Sequence, residues 1–321
     1  MAALKDVIAP LIMPTIYIIV GLPASGKSTY ANKLCKENPD VIIHSSDKLR
    51  EELYGDENTQ EHNADLFVEL HRRIKRDLSA GKSVIYDATN INKKRRRAFL
   101  SELKNIKCKK VCVCMVTPYE LCLQYNKERN RHVPEEVIKR MYINWCPPSF
   151  DEGFDDIRLI YAKDIDKSIY KLSTLFLGDC GIDNFNQENS HHTLTLGEHC
   201  RKVYRYVSQY ECSSALKVAA LLHDNGKVFT KTRLNSKGID DGNCHYYQHQ
   251  CVGAYNSLFY TRELGLTIEE RIYVANLIYY HMHPYLSWKQ SNKVLNRDRT
   301  CIGEEMYKDI NMLHEADLYA H

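Results

Sequence analysis

The chain has 321 residues, of which 44% are hydrophobic and 26% are charged, and its formal net charge is only +3. This length favours two domains of ordinary size, and the composition is typical of a globular protein rather than a disordered or fibrous one. So small a net charge excludes a global basic field for nucleic acid, although a local patch can still serve that purpose.

Membrane attachment and secretion are also disfavoured. The apolar stretch 7–20 is interrupted by Pro10 and Pro14. It is too short for a membrane span and lacks the basic region and cleavage site of a secretory signal. Twelve cysteines without paired CxxC motifs favour reduced thiols over a disulfide scaffold or a zinc ribbon. We therefore expect a cytoplasmic protein with no membrane partner.

A phosphate-binding loop follows the first predicted strand. The β-branched and aromatic run 15–20 predicts a buried parallel strand. The next nine residues, GLPASGKST, match GxxxxGK[ST] and lead into a predicted helix. Loop amides and a helix N-terminus favour phosphate, while the lysine can reach the β- and γ-phosphates and the serine can hold Mg²⁺. The predicted nucleotide-binding residues of this loop are Gly21, Gly26, Lys27, Ser28 and Thr29.

An acidic residue follows the predicted strand 41–43, and another ends the next predicted strand, which begins the segment 83–90. Because the carboxyl ends of parallel strands form the ligand edge of a sheet, Asp47 is a candidate general base that accepts the proton of an attacking hydroxyl. It can also cap the following helix, and the two roles are compatible. Arg50, one turn later, is a candidate clamp for an acceptor phosphate. Asp87 either positions substrate or the water shell of a metal, or only holds its turn.

Two basic segments have two interpretations each. The run 93–97 is either a solvated helix face or a contact surface for nucleic-acid phosphates. Arg129 and Arg131 precede a helix that begins after Pro134. They form either a mobile lid over the transferring phosphoryl group or a plain basic loop.

The segments GLPASGKST, SSDKLREELYG, DATN and RNRHVP…PPSFDEGFD together resemble P-loop kinases of the polynucleotide kinase type. The resemblance implies an α/β P-loop kinase domain with a parallel sheet flanked by helices, using ATP and Mg²⁺. It also implies roles for matching positions: Lys27 and Ser28 as phosphate and Mg²⁺ ligands, Asp47 as base on a 5′-hydroxyl, Arg50 as acceptor-phosphate contact, and Arg129 or Arg131 as lid arginine.

The second half of the chain has a different pattern. Residues 163–189 are polar and lack a long amphipathic repeat, whereas apolar residues recur at three- and four-residue spacing from position 191 onward. We predict domains at 1–175 and 185–321. An apolar helix there leads into an adjacent His-Asp pair, and a dense histidine and carboxylate set suits a transition metal or a Mn²⁺-like ion. The candidate ligands are His199, His223, Asp224, His249, His281 and Asp317.

These ligands, with the segments LLHDNGK, HYYQHQ…GA and ADLYAH, resemble the HD superfamily of metal-dependent phosphohydrolases. The resemblance extends to the HD portions of tRNA nucleotidyltransferases and of bacterial RNA end-healing enzymes. It implies an all-α HD domain that binds one or two divalent ions such as Mn²⁺, Ni²⁺ or Co²⁺. In this assignment His199, His223, Asp224 and Asp317 hold one ion, and Asp224 bridges to a second ion held by His249 and His281.

Some choices around this metal centre stay open. Lys227, three residues after the His-Asp pair, is a candidate to bind the scissile phosphate. His192 and His283 are weaker candidates for that task. The sequence does not decide whether His281 or His283 completes the second ion site.

A 5′-kinase joined to a phosphohydrolase predicts a bifunctional healing enzyme for nucleic-acid ends, with RNA favoured. One half would phosphorylate a 5′-hydroxyl, and the other would remove a 3′-phosphate or open a 2′,3′-cyclic phosphate. Sealing would need a separate ligase, and the kinase precedes the HD segment here, the reverse of the bacterial enzymes. Two alternatives stay open: a small-molecule or nucleoside kinase fused to an HD nucleotidase, and an ATP-switched RNA-binding protein with a non-catalytic HD domain.

Overall fold

The computed structural model describes residues 13–57, 59, 61–179, 181–188 and 193–321. His192, a weaker candidate for phosphate binding, lies outside the described residues. Within the described part of the chain, no helix combines the length and the apolar character that a membrane crossing requires.

The N-terminal half is built on a five-stranded parallel sheet with strand order β2-β3-β1-β4-β5. β1 lies at its centre, where Ile18 is paired with both Tyr86 and Cys112. Its side chains alternate between two apolar clusters, since Ile18 belongs to one and Ile19 to the other. The strands are β1 (Thr15–Val20), β2 (Ile42–Ser45), β3 (Val84–Asp87), β4 (Lys109–Val116) and β5 (Asp156–Tyr161).

Helices flank this sheet, which confirms the predicted α/β arrangement. The strand burial on both faces explains why β1 has a continuous apolar run instead of an alternating one. The helices are α1 (Lys27–Glu37), α2 (Ser46–Tyr54), α3 (Asn63–Ser79), α4 (Lys93–Glu102), α5 (Tyr119–Glu128) and α6 (Glu135–Tyr142), followed by a 3₁₀ turn at Phe150–Glu152.

The C-terminal half is mostly helical. α8 begins with a capping box in which Thr195 and Glu198 satisfy each other's backbone amides. The long α14 is broken at Gly303, whose φ of 83° is non-helical. The helices are α7 (Leu172–Leu177), α8 (Leu196–Val207), α9 (Ser214–Leu222), α10 (Lys227–Thr230), α11 (His249–Tyr260), α12 (Ile268–Tyr280), α13 (Ser287–Gln290) and α14 (Asn292–Ala320).

One part of this half corrects the expectation of an all-α domain. Strands β6 (Thr232–Leu234) and β7 (Asp240–His245) form an antiparallel hairpin. β7 reads DDGNCH and has no apolar alternation, so its periodicity gave no strand pattern. His245 ends β7, and its Nε2 atom lies 3.0 Å from Asp241 Oδ1.

The two halves share one apolar core. Trp145, which follows α6, is fully buried with its ring edge-on to Tyr255 of α11. The Tyr142 hydroxyl donates to Asn256 Oδ1 at 2.9 Å, and the Tyr255 hydroxyl donates to the Thr117 carbonyl. The domain limits 1–175 and 185–321 stay a prediction, but the core that stabilises them is continuous.

The basic run 93–97 begins α4, and two of its five charged side chains are buried in ion pairs. Arg96 is buried and makes two 2.7 Å bonds to Glu152. Lys93 is also buried and lies 3.1 Å from Asp151. This corrects the idea of a five-residue phosphate-binding patch, because in the run only residues 94 and 95 are exposed.

Candidate active sites

The loop after β1 has the close-packed geometry of a phosphate cradle. A Cβ added at Gly21 would lie 2.6 Å from Ser25 Oγ and 2.9 Å from Met115 Cβ, so only glycine fits there. Gly26, with φ +89°, precedes the first residue of α1. Lys27 Nζ donates to the Leu22 carbonyl at 2.6 Å, and burial lowers its pKa although Asp87 opposes that shift. A phosphate entering the loop would replace this carbonyl as the partner of the ammonium group.

Ser28 and Asp87 meet beside this cradle. The Ser28 hydroxyl donates to Asp87 Oδ2 at 2.8 Å, while Thr29 is exposed in the first turn of α1. Burial raises the pKa of Asp87, and Lys27 opposes the shift. A hydroxyl and a carboxylate at the carboxyl ends of parallel strands are oxygen donors that suit Mg²⁺. Asp87 therefore lies beside the P-loop serine, and its role in the metal's surroundings stays a prediction.

An open cavity of about 250 Å³ adjoins these residues, with Ser28, Asp47, Asp87, Arg129 and Arg131 among its lining. The Asp47 side chain is 46% exposed and forms an ion pair with Arg131. Arg131 also donates to the Glu57 carbonyl at 3.1 Å, and Arg129 donates to Asn126 Oδ1 at 2.7 Å. The two predicted lid arginines and the predicted base therefore line one space.

Arg50 is oriented differently from its predicted role. It is buried and donates to Asp47 Oδ1 at 3.0 Å, to the Glu57 carbonyl at 3.2 Å and to Asn63 Oδ1 at 3.0 Å. Its guanidinium thus fixes Asp47 and the loop after α2. Contact with an acceptor phosphate stays a prediction and would require one of these bonds to be exchanged.

The six histidine and aspartate candidates of the C-terminal half lie together in the helical core, and none is more than 6% exposed. They come from five helices or helix ends that are distant in sequence. The donors are His199 on α8, His223 and Asp224 after α9, His249 at the start of α11, His281 after α12 and Asp317 on α14.

Asp224 lies between two histidine pairs. Its Oδ2 atom is 3.5 Å from His199 Nε2 and 3.4 Å from His223 Nε2. Its Oδ1 atom is 3.2 Å from His249 Nε2 and 3.6 Å from His281 Nε2. The donor atoms of each group of three lie within 4.8 Å of one another. One carboxylate therefore faces two candidate ion positions.

Asp317 joins the first of these groups. Its Oδ1 atom lies 3.0 Å from His199 Nε2 and 3.6 Å from His223 Nε2. Burial opposes ionisation of both carboxylates, yet Lys227 and His223 hold the pKa of Asp224 well below its usual range. Although burial also opposes the charged imidazole, Asp224 and Asp317 raise the pKa of His223 to about 10. Imidazole nitrogens and carboxylate oxygens are a fitting donor set for a divalent transition metal.

Backbone carbonyls orient three of the imidazoles. In each case Nδ1 lies within hydrogen-bond distance of the carbonyl three residues earlier, so that Nε2 faces the cluster. Outer contacts of this kind fix the ring and the tautomer of a metal-binding histidine. The pairs are His223 with Ala220 at 2.9 Å, His249 with Tyr246 at 2.7 Å and His281 with Ile278 at 2.6 Å.

A close backbone approach brings the His-Asp turn to α11. A Cβ at Gly226 would lie 2.0 Å from the His249 carbonyl oxygen, so a larger residue would separate the two segments. Asn225 Nδ2 donates to the Gly253 carbonyl at 3.1 Å. These contacts hold the turn that contains Asp224 against the start of α11, and so place Asp224 beside His249.

Of the two remaining candidates, Lys227 contacts the cluster and His283 does not. Lys227 is buried, with Nζ 2.7 Å from Asp224 Oδ2 and 2.8 Å from Gln187 Oε1, so binding of a scissile phosphate stays a prediction. His283 belongs to neither group of donor atoms and lies with its ring edge-on to Trp288, and burial lowers its pKa to about 4. Of the two histidines that the sequence left open, His281 is the one in the cluster.

Three neighbours of the cluster were missed by sequence reasoning. They are Gln187, Tyr285, whose hydroxyl donates to Asp317 Oδ2 at 2.9 Å, and His321, whose Nε2 lies 3.7 Å from Asp317 Oδ1. Of these three, His321 alone had a sequence pattern, because it is four residues after Asp317, the spacing of neighbours on a helix.

Comparison with known proteins supports a P-loop, kinase-like domain in the N-terminal half. A family model described as an AAA domain matches residues 16–148. L-seryl-tRNA(Sec) kinase of Methanococcus maripaludis is 33% identical over 156 residues, which cover 46% of this chain and 60% of that protein. Protein kti12 of Schizosaccharomyces pombe is 26% identical over 152 residues, covering 43% and 53%.

Among solved structures, Chaetomium thermophilum Kti12 in complex with ADP-AlF3 matches with a TM-score of 0.40 and 19% identity, covering 47% of this chain and 91% of that one. The chain spans less than two thirds of the length of the two curated relatives above. The N-terminal half of the chain carries a P-loop, kinase-like nucleotide-binding domain that matches the AAA description.

Proposed function

We propose that this chain is a bifunctional enzyme of RNA ends. Its N-terminal half transfers phosphate from ATP to a 5′-hydroxyl. Its C-terminal half is an HD-type phosphohydrolase that removes a 3′-phosphate or opens a 2′,3′-cyclic phosphate. The observation that carries the proposal is Asp224, whose two oxygens face two buried histidine pairs in a chain that also has a kinase-like P-loop domain.

In the kinase half, Lys27 and the loop amides would hold the phosphates of ATP, and Ser28 with Asp87 would face Mg²⁺. Asp47 would accept the proton of the acceptor hydroxyl. In the structure Asp47 is paired with Arg131, so this proton transfer requires the ion pair to open first. Arg131 has to move from Asp47 toward the transferring phosphoryl group, which frees the base and supplies positive charge in one rearrangement.

In the C-terminal half, divalent ions would supply Lewis acidity and activation of water for phosphate-ester hydrolysis. Asp224 would hold both ions, with His199, His223 and Asp317 on one side. On the other side are His249 and His281. The first side has four donors, including two carboxylates, and the second has three, so we expect the first ion to bind more tightly. Lys227 beside Asp224 would place positive charge near the departing phosphate.

A second candidate concerns the acceptor of the kinase half. The 33% identity to L-seryl-tRNA(Sec) kinase favours an acceptor hydroxyl carried by a charged tRNA over a free nucleoside. Such an acceptor would still make the substrate an RNA, but it would separate the kinase reaction from end healing.

The test uses one RNA oligonucleotide with a 5′-hydroxyl and a 3′-phosphate, incubated with ATP, Mg²⁺ and Mn²⁺, with separate analysis of both ends. We expect a 5′-phosphate and a 3′-hydroxyl. Parallel reactions contain a 2′,3′-cyclic end, the matching DNA, a free nucleoside or seryl-tRNA. Phosphorylation of the nucleoside or of seryl-tRNA alone would replace the 5′-end assignment. If the protein neither hydrolyses the 3′-end nor binds metal, the C-terminal half is a non-catalytic domain instead of a hydrolase.

A further inference from the structure

The outer oxygen of Asp317 is held by a side chain outside the proposed ligand set. Oδ1 of Asp317 faces His199 at 3.0 Å, whereas Oδ2 accepts the 2.9 Å hydrogen bond from the Tyr285 hydroxyl. Tyr285 lies between α12 and α13, in the segment that begins with His281. One short segment therefore provides a candidate ligand for the second ion and a partner for a candidate ligand of the first.

We propose that Tyr285 is a positioning residue that fixes Asp317 as a one-oxygen ligand of the first ion. This inference rests on the proposed metal centre. A carboxylate with two unrestrained oxygens can rotate or bind through both of them. A donor on the outer oxygen selects one orientation and leaves Oδ1 for the ion, which is how outer partners tune metal ligands.

The tyrosine is itself held in place. Its ring meets the His314 ring edge-on at a centroid distance of 4.3 Å, and His314 lies one turn before Asp317 on α14. Burial and the nearby Asp317 carboxylate both raise the pKa of Tyr285. The ring contact with His314 and the hydroxyl bond to Asp317 both hold Tyr285 against α14.

Asp317 and the histidines of the cluster are oriented by different kinds of partner. Backbone carbonyls orient His223, His249 and His281, and no side-chain substitution removes those carbonyls. The orientation of Asp317 depends on the Tyr285 hydroxyl, and a substitution can remove that group by deleting a single oxygen atom. A tyrosine-to-phenylalanine change at position 285 therefore isolates the effect of orientation from the effect of losing a ligand.

The chain contains a matched control. The Tyr273 hydroxyl on α12 donates to Asp309 Oδ2 on α14, also at 2.9 Å. This pair joins the same two regions of the fold, but neither residue belongs to the histidine and aspartate cluster. Tyr273→Phe removes the same kind of bond without touching a candidate metal ligand.

The experiment compares the wild type, Tyr285→Phe and Tyr273→Phe after chelation. Mn²⁺ is titrated by calorimetry, bound metal is counted by elemental analysis, and Tm is measured with and without Mn²⁺. We expect Tyr285→Phe to weaken binding of the tighter ion about 10- to 100-fold and to reduce the rise in Tm that Mn²⁺ produces. Tyr273→Phe should keep wild-type affinity, although both metal-free variants lose a similar amount of Tm.

Each contrary result has a distinct meaning. Wild-type affinity in Tyr285→Phe, or equal losses in both variants, would overturn the positioning role and leave the metal centre in place. Failure of the wild type to bind Mn²⁺, Ni²⁺ or Co²⁺ would overturn both the metal centre and the role of Tyr285. If the ions bind as expected but no phosphate ester is cleaved, the proposed hydrolase fails while the positioning role stands.

Discussion

The two candidate sites differ in how they hold their charges. In the N-terminal site Asp47 is nearly half exposed and, with Arg129 and Arg131, lines an open cavity. In the C-terminal site Asp224 is 3% exposed and four imidazoles surround it. The first site is assembled at the carboxyl edge of the sheet, from the first turns of α1 and α2, the end of β3 and the segment after α5. The second is assembled from helices and helix ends within the helical half.

This difference indicates what each site requires. Exposed ion pairs such as Asp47 with Arg131 contribute little stability, so they can be exchanged for a ligand at low cost. Buried carboxylates are costly unless they are paired. Lys227 and His223 pair with Asp224 in the protein alone, and divalent ions would neutralise the whole set. We therefore expect bound substrate to rearrange the ion pairs of the first site. We expect bound metal to determine the stability of the second.

The largest effect should come from Asp224→Asn. The amide cannot replace a carboxylate shared by two ions, so we expect loss of both ions and of 3′-phosphate hydrolysis. The loss should exceed the about 10- to 100-fold expected for removing an outer partner. Kinase activity should stay. Asp224→Ala should give the same loss of function but also unfold more readily, because the buried ammonium group of Lys227 would lose the carboxylate 2.7 Å away that balances its charge.

The measurements are elemental analysis and a 3′-end phosphatase assay. Asp241→Asn is the control, since it alters a histidine-aspartate pair on the exposed hairpin. Wild-type hydrolysis by Asp224→Asn after chelation and metal add-back would show that this cluster is not the hydrolase site.

The reciprocal change is Lys27→Ala. Loss of the positive charge at the β- and γ-phosphates should slow 5′-phosphorylation by about 10²- to 10³-fold, while 3′-end hydrolysis continues. Lys33→Ala, on the exposed face of the same helix, should leave both activities unchanged. Both end reactions are followed on one RNA. Loss of hydrolysis in folded Lys27→Ala protein would mean that the two sites do not act independently.

Asp47→Asn should have a smaller and more selective effect. Removing a general base is expected to slow transfer about 10²-fold while ATP binding is kept. Glu51→Gln, on the exposed surface of α2, is the control. ATP affinity is measured by calorimetry and transfer by single-turnover kinetics. A joint fall in binding and transfer would identify Asp47 as a structural cap or a metal support.

The sequence predicted local structure well where the pattern itself is local. The bounds of β1 follow from neighbouring residues, and the parallel sheet follows from buried strands alternating with helices. The residues of both candidate sites could be proposed because P-loop and His-Asp motifs are short. Their catalytic and metal-binding roles stay predictions.

Contacts between distant segments could not be read in this way. The burial of Arg96 depends on Glu152, 56 residues away, and nothing in a basic run predicts that partner. The bond from Tyr285 to Asp317 likewise depends on how α14 packs. His281 and His283 differ only in which way the chain turns after α12, so spacing alone could not separate them.

The smallest predicted effect tests whether the two halves unfold together. Tyr142→Phe removes the donor to Asn256 Oδ1 across the shared core and leaves that buried oxygen unsatisfied, at a cost of about 1–3 kcal/mol. Because Tyr142 and Tyr255 belong to one continuous apolar cluster, we expect a single unfolding transition at lower temperature. Both activities should lose heat resistance together. Tyr125→Phe, which alters an exposed bond to Asp164, should have little effect. If heating inactivates the Tyr142→Phe kinase while hydrolysis survives, the halves are independent folding units and the shared core contributes no cooperativity between them.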